Sequence, residues 1–173
     1  MKSRLFMVIA LLFSVTSFAA DYGAAGASMK KDMTLGEMLG YALQDEHLAL
    51  AEYQAIMEKF GDQRPYANIA EAEKTHIAYL ETLYKKLGLD MPEVNARDYI
   101  DIPGSLSQAA EAGVQAEIAN IAMYEKFLKE DLPSEVRDVF VYLKDASEKH
   151  LSAFERQLET GGTGLGRNRT GRK

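Results

Sequence analysis

Two ten-residue stretches decide the fold, AEKTHIAYLE at 72–81 and ASEKHLSAFE at 146–155. Each carries a histidine, His76 or His150, in a run whose apolar positions return every three or four residues, the spacing of one face of a helix. Moving outward, each run is preceded by a glutamate with a tyrosine seven residues on: Glu46 with Tyr53, then Glu117 with Tyr124. The chain therefore reads as one helical hairpin written twice. The copies differ at one conspicuous place: Glu73 stands three residues before His76, whereas Ser147 stands three before His150.

The surrounding pattern predicts four helices. The first runs over 34–60, opened by a Thr34–Glu37 capping-box signature, with Leu39, Leu43, Glu46, Leu50, Tyr53, Met57 and Phe60 facing inward. The second starts after Pro65 and stops at Gly88, with Ile69, Glu73, His76, Leu80, Leu83 and Leu87 in its seam. A Pro-containing link over 89–104 is long enough to return the chain along the bundle. Ser105 then caps a third helix, whose seam is Ala110, Val114, Glu117, Ile121, Tyr124 and Leu128. Leu132-Pro133-Ser134 breaks it, and a fourth helix follows with Val136, Phe140, Leu143, Ser147, His150 and Phe154 inward. Short turns within hairpins and a longer link between them give an all-α fold, an antiparallel four-helix bundle with one crossover.

The ends read differently. Residues 1–19 combine Lys2 and Arg4, an apolar run over 5–13 and small residues to Ala19, the pattern of a cleaved secretory signal peptide. A flexible leader is expected over 20–33, the bundle over 34–159 and a disordered, Gly-rich basic tail over 160–173. The expected location is periplasmic or secreted. The chain has no cysteine, which excludes disulfides and thiolate metal or redox centres. Its formal charge of −6 becomes −8 without Lys2 and Arg4. The four basic residues of the tail stand apart from an acidic body, which makes nucleic acid an unsuitable partner. No stretch is long and apolar enough for a membrane span.

Glu46, Glu73, His76, Glu117 and His150 all fall on positions that the apolar spacing assigns to the interior, where an unpaired carboxylate is costly. One such glutamate is ordinary as a snorkelling or hydrogen-bonded residue. Five polar residues recurring in matched order point to a shared metal site, because a cation neutralises the carboxylates and gives each imidazole a partner. Glu73 and His76, three apart on one face, can reach one centre. Tyr53 and Tyr124 fit hydrogen-bond donors to a carboxylate, redox-active neighbours, or core tyrosines with satisfied hydroxyls. Ser147 marks an open position.

Taken together, EHLALAEY (46–53), YANIAEAEKTH (66–76), EIANIAMY (117–124) and ASEKHLSAF (146–154) resemble the ferritin-like superfamily, which includes bacterioferritin and the rubrerythrin group. They are similar in particular to an uncharacterised ferritin-like family of bacteria and archaea. The resemblance spans about 34–157. It implies a dimetal-carboxylate centre, usually di-iron, with Glu46, Glu73, His76, Glu117 and His150 on ligand positions, and chemistry of ferroxidase or peroxidase type. Iron, as two ions or one, is the expected cofactor, with manganese or zinc as alternatives; oxygen or peroxide is the expected co-substrate. Ser147 replaces the Glu of the fully liganded pattern, a poor ligand for iron, and without cysteine no rubredoxin-like electron donor is built in. Three function classes follow: a redox enzyme, a metal-capturing or metal-sensing protein without turnover, and a metal-free structural bundle with a vestigial site. The oligomeric state is left open.

Overall fold

The structure, a computed structural model, describes residues 21–161. The expected signal peptide at 1–19 and the basic tail from 162 onward lie outside the described residues. Among the described residues five α-helices form: α1 (Gly23–Met29), α2 (Leu35–Phe60), α3 (Tyr66–Leu87), α4 (Leu106–Phe127) and α5 (Ser134–Glu159), with one turn of 3-10 helix at Ala96–Asp98 in the crossover. Among the described residues none of the helices is long and apolar enough to cross a membrane.

The helix ends follow local chemistry. The Thr34 side chain accepts from the Glu37 backbone while the Glu37 carboxylate accepts from Thr34, so two otherwise orphaned donors at the start of α2 are satisfied. Ser105 caps α4 through the Gln108 N–H. Gly88 ends α3 at φ 64°, a left-handed conformation that favours glycine. α2 packs on α3 and α4 on α5, and the crossover runs back along α2, giving an antiparallel four-helix bundle of ferritin-like form.

Two apolar cores stack along the bundle axis. One gathers Leu39, Leu43, Leu80, Phe127, Phe140 and Leu143; the other gathers Tyr53, Ile56, Tyr66, Ile69 and Phe154. The second core is fitted closely, since a Cβ on Gly113 would lie 2.9 Å from the Phe154 ring. The five ionisable residues singled out from the sequence lie in the layer between these cores.

Two expectations change. The segment 20–33 is not a bare leader: Gly23–Met29 is a helix whose Ala24 and Ala27 are buried against α2 and α4. Its small residues allow that approach, because a Cβ at Gly26 would meet the Tyr41 ring and the Asp21 carbonyl at 2.7 Å. The Lys126 ammonium fastens it further by donating to the Ala27 and Lys30 carbonyls. The inward face of α4 also differs, burying Gly113, Asn120, Met123 and Phe127 beside Ala110, Glu117 and Tyr124, while Val114, Ile121 and Leu128 are only half-buried. With α1 covering its flank, α4 is enclosed over a wider arc than a two-position seam.

Candidate metal centre

Each main helix contributes at mid-length: Glu46 from α2, Glu73 and His76 from α3, Glu117 from α4, and Ser147 and His150 from α5. Glu46, Glu73, His76, Glu117 and His150 are at most 8% exposed. Glu73 lies at the middle of the cluster and divides its two oxygens. Its Oε2 is 2.8 Å from His76 Nδ1, and its Oε1 is 3.2 Å from His150 Nδ1. Glu46 completes the first half, with Oε2 2.9 Å from His76 Nδ1; Glu117 completes the second, with Oε1 3.4 Å from His150 Nδ1. The result is two three-residue donor sets, Glu46–Glu73–His76 and Glu73–Glu117–His150, in each of which the ligand atoms lie within 4.8 Å of one another. The two imidazoles stack with centroids 5.7 Å apart.

The tyrosines are reciprocal. Tyr53 on α2 donates to Glu117 Oε1 on α4 at 2.9 Å, and Tyr124 on α4 donates to Glu46 Oε1 on α2 at 2.6 Å. Antiparallel α2 and α4 bring each Glu level with the other helix's Tyr, so one seven-residue spacing, used twice, makes both bonds. Tyr124 takes the Glu46 oxygen that does not face His76, whereas Tyr53 takes the same Glu117 oxygen that lies 3.4 Å from His150 Nδ1.

Burial and charge set the protonation of the cluster. Desolvation and then the nearby Glu73 charge raise the Glu46 carboxyl to about 7. Burial also opposes ionisation of Glu73, but the adjacent His150 and His76 rings outweigh it and hold that group below the usual carboxylate range. Burial opposes a charged His76, yet its bonds to Glu46 and Glu73 win and raise it to about 10; His150 rises to about 9 by the same contest with Glu117 and Glu73. Burial, followed by the adjacent carboxylates, keeps the Tyr53 and Tyr124 phenols protonated well above their ordinary range. In the absence of a cation, imidazolium protons neutralise the carboxylates.

Ser147 does not stand in an empty place. Its Oγ donates to Asn120 Oδ1 at 2.7 Å and to the Leu143 carbonyl at 3.2 Å, and Asn120 Nδ2 donates to Asp45 Oδ2 at 2.5 Å. Asp45 Oδ1 accepts in turn from the Ala24 N–H of α1 at 2.7 Å. A cavity of about 20 Å³ remains, lined by Glu46, Tyr53, Glu73, Glu117, Asn120 and Ser147 among others, the space of roughly one water-sized occupant. Asn120 and Asp45 escaped the sequence reading. Asn120 was detectable, three residues from Glu117 on the same face; Asp45 was not, because its role depends on the unexpected α1. Glu148 and Asp145 turn outward and pair with Lys144 at the surface, so neither supplies the missing carboxylate.

The donor set suits a transition metal. Carboxylate oxygens with imidazole nitrogens fit iron, manganese or zinc, and His150 Nδ1 is buried beside two carboxylates without the geometry of a hydrogen bond to either. A cation at that point would satisfy it. A four-helix bundle holding two such donor sets around a shared glutamate defines a ferritin-like protein of the di-iron carboxylate class. The family model described as Rubrerythrin matches residues 37–158, and the chain belongs to that family. No curated protein matches. Two solved structures are similar in fold: a hypothetical protein from Methanococcus jannaschii DSM 2661 (24% identity, TM-score 0.67, covering 79% of this chain and 87% of that one), and a hypothetical protein from Pyrococcus furiosus (23% identity, TM-score 0.61, covering 77% and 93%).

Proposed function

We propose that this protein binds one or two iron ions between Glu46, Glu73, His76, Glu117 and His150 and uses them to oxidise ferrous iron or to reduce oxygen or peroxide. The observation that carries the reading is the division of Glu73, one oxygen toward each histidine, which makes it the shared member of two donor sets. Iron, when bound, supplies ferrous–ferric cycling. The chain supplies the rest. Glu46 and Glu117 face the layer from α2 and α4, and the Tyr124 and Tyr53 hydroxyls hold their orientation. The apolar cores above and below exclude bulk water. Ser147 and Asn120 wall the small cavity beside the glutamates, where a small oxidant meets the centre. The N-terminal pattern at 1–19 supports action outside the cytoplasm, in the periplasm or medium.

The test is to load the mature protein anaerobically with ferrous iron, remove the excess, and count bound iron per chain beside Glu73→Ala. Two ions, or one, retained by the native chain and lost in the variant, with peroxide or oxygen consumption lost in parallel, is the expected result. Iron that binds but oxidises no faster than free iron assigns the protein to metal capture or sensing. No retained iron refutes the proposal and leaves a structural bundle. Cell fractionation checks the location.

A further inference from the structure

Outside the ligand set, one feature connects the centre to the surface. The Tyr142 ring meets His76 edge-on, with centroids 5.8 Å apart and planes at 88°, and Tyr79 meets Tyr142 edge-on at 5.2 Å and 73°. Tyr142 and Tyr79 are 46% and 44% exposed. A continuous run of three aromatic rings thus passes from a ligand position to solvent through the groove between α3 and α5. The chain contains neither Trp nor Cys, so tyrosine and methionine are its readily oxidised side chains.

We propose that Tyr142, with Tyr79 beyond it, is the electron source that completes peroxide reduction when the centre holds a single ferrous ion; this rests on the function proposed above. Reducing hydrogen peroxide to two waters breaks the O–O bond and takes two electrons and two protons. Oxidation of one ferrous ion to ferric provides one electron. Unless the protein provides the second, that oxidising equivalent escapes as hydroxyl radical. Tyr142 gives up one electron through the His76 ring and releases its phenolic proton, leaving a neutral tyrosyl radical. The phenolic proton and one proton from solvent balance the two waters. Electron transfer from Tyr79 to Tyr142 moves the radical one ring further from His76, with the Tyr79 proton passing to water and Tyr142 regaining one.

Tyr53 and Tyr124 lie nearer the glutamates but are poorly placed for this step. Their hydroxyl protons are already directed at Glu117 and Glu46, and a carboxylate engaged with a cation is a weak base, so the proton has no good destination. At Tyr142 and Tyr79 the acceptor is bulk water. The rings bonded to the glutamates therefore hold the ligands, and the rings at the surface give up electrons.

The experiment loads the full mature chain with one equivalent of ferrous iron, adds one equivalent of hydrogen peroxide, and follows ferric iron, radical yield by freeze-quench paramagnetic resonance, spin-trapped hydroxyl radical, and oxidised residues by peptide mass spectrometry. Expected for the native chain are a tyrosyl signal and oxidation or dityrosine linkage at Tyr142 and Tyr79. Tyr142→Phe preserves the ring against His76 while removing the phenol; it should cut the tyrosyl signal several-fold, spare Tyr79 from oxidation and raise trapped hydroxyl radical several-fold. Tyr79→Phe should retain the radical on Tyr142. Ferric iron formed at the native rate with unchanged radical and trap yields in Tyr142→Phe, or oxidation confined to Tyr53 and Tyr124, would overturn this inference and leave the metal reading standing. Failure to retain iron overturns both.

Discussion

Metal uptake by this cluster should expel protons, about one imidazole proton for every ion bound. His76 and His150 stand at about 10 and about 9 because carboxylates surround them, so at neutral pH both rings are cationic, and a ring must lose a proton before its nitrogen can ligate. Filling both donor sets at pH 7 therefore displaces about two imidazole protons. Glu46, at about 7, adds roughly half a proton more. The free-energy cost is three pH units for His76 and two for His150, on the order of 7 kcal/mol at 1.36 kcal/mol per unit. Each half-site should thus tighten about tenfold per pH unit, and the product of the two binding constants about a hundredfold. The assay uses zinc, which has no redox chemistry to confuse the count: competition against a chelator of known proton dependence between about pH 6.5 and 8, with proton release measured by pH-stat in weakly buffered solution. Near-zero release at pH 7.5, with a flat affinity, would mean that the imidazoles are already neutral without metal. That result would refute the charge balance derived from the geometry.

The same groups make the metal-free protein less stable as pH rises. His76 and His150 have folded values above their unfolded ones, so their stabilisation is complete below about pH 6.5 and disappears through about 9 to 10, and Glu46, raised from 4.5 to about 7, acts in the same direction between those values; Glu73, lowered, opposes this only in the acid range. Thermal unfolding of the metal-free chain should show Tm falling from pH 6 to pH 10, with the fall much reduced by saturating zinc. Ser147→Glu should raise bound iron toward two per chain if the native chain holds one, and an unchanged count would show that the hydroxyl does not limit occupancy. Gly113→Ala puts a methyl group 2.9 Å from the fully buried Phe154 ring; an overpacking cost of 1–3 kcal/mol exceeds the gain of about 1 kcal/mol in helix propensity, for a net loss of about 1 kcal/mol in urea unfolding.

The duplicated hairpin was legible because periodic apolar positions and helix caps are local signals. Thr34 with Glu37, Gly88 and Ser105 each mark an end through bonds within a few residues, and the structure places those ends there. The buried acids and imidazoles that the structure gathers in one layer were legible for a related reason: such a residue on an apolar face stands out without knowledge of its partner. What the sequence hid depends on contacts between distant segments. α1 is Gly- and Ala-rich, a composition that reads as flexible when taken alone, and it becomes helical against the α2–α4 flank through bonds to Gln44 and Asp45 and burial of Ala27. The edge-on contact of Tyr142 with His76 was equally hidden, since it joins α5 to α3.

The exchange of Glu for Ser at 147 is integrated into its surroundings. A serine at that place leaves the volume of one methylene group and most of a carboxylate to be filled, and a hydroxyl to be satisfied. Asn120 from α4 meets both needs: its carbonyl takes the Ser147 proton and its amide reaches Asp45, which in turn holds the first turn of α1. A glutamate restored at 147 must compete with Asn120 for the same space, and displacing that amide would leave one Asp45 oxygen without its donor, a penalty of about 1–3 kcal/mol for a buried polar group. The cost of a fourth carboxylate in the layer is therefore felt at the α1 contact as well as at the centre. The bonds that orient Glu46 and Glu117, and the Asn120–Asp45 link to α1, lie on the α2–α4 side of the layer, whereas the Tyr142 ring, with Tyr79 beyond it, meets His76 on the α3–α5 side.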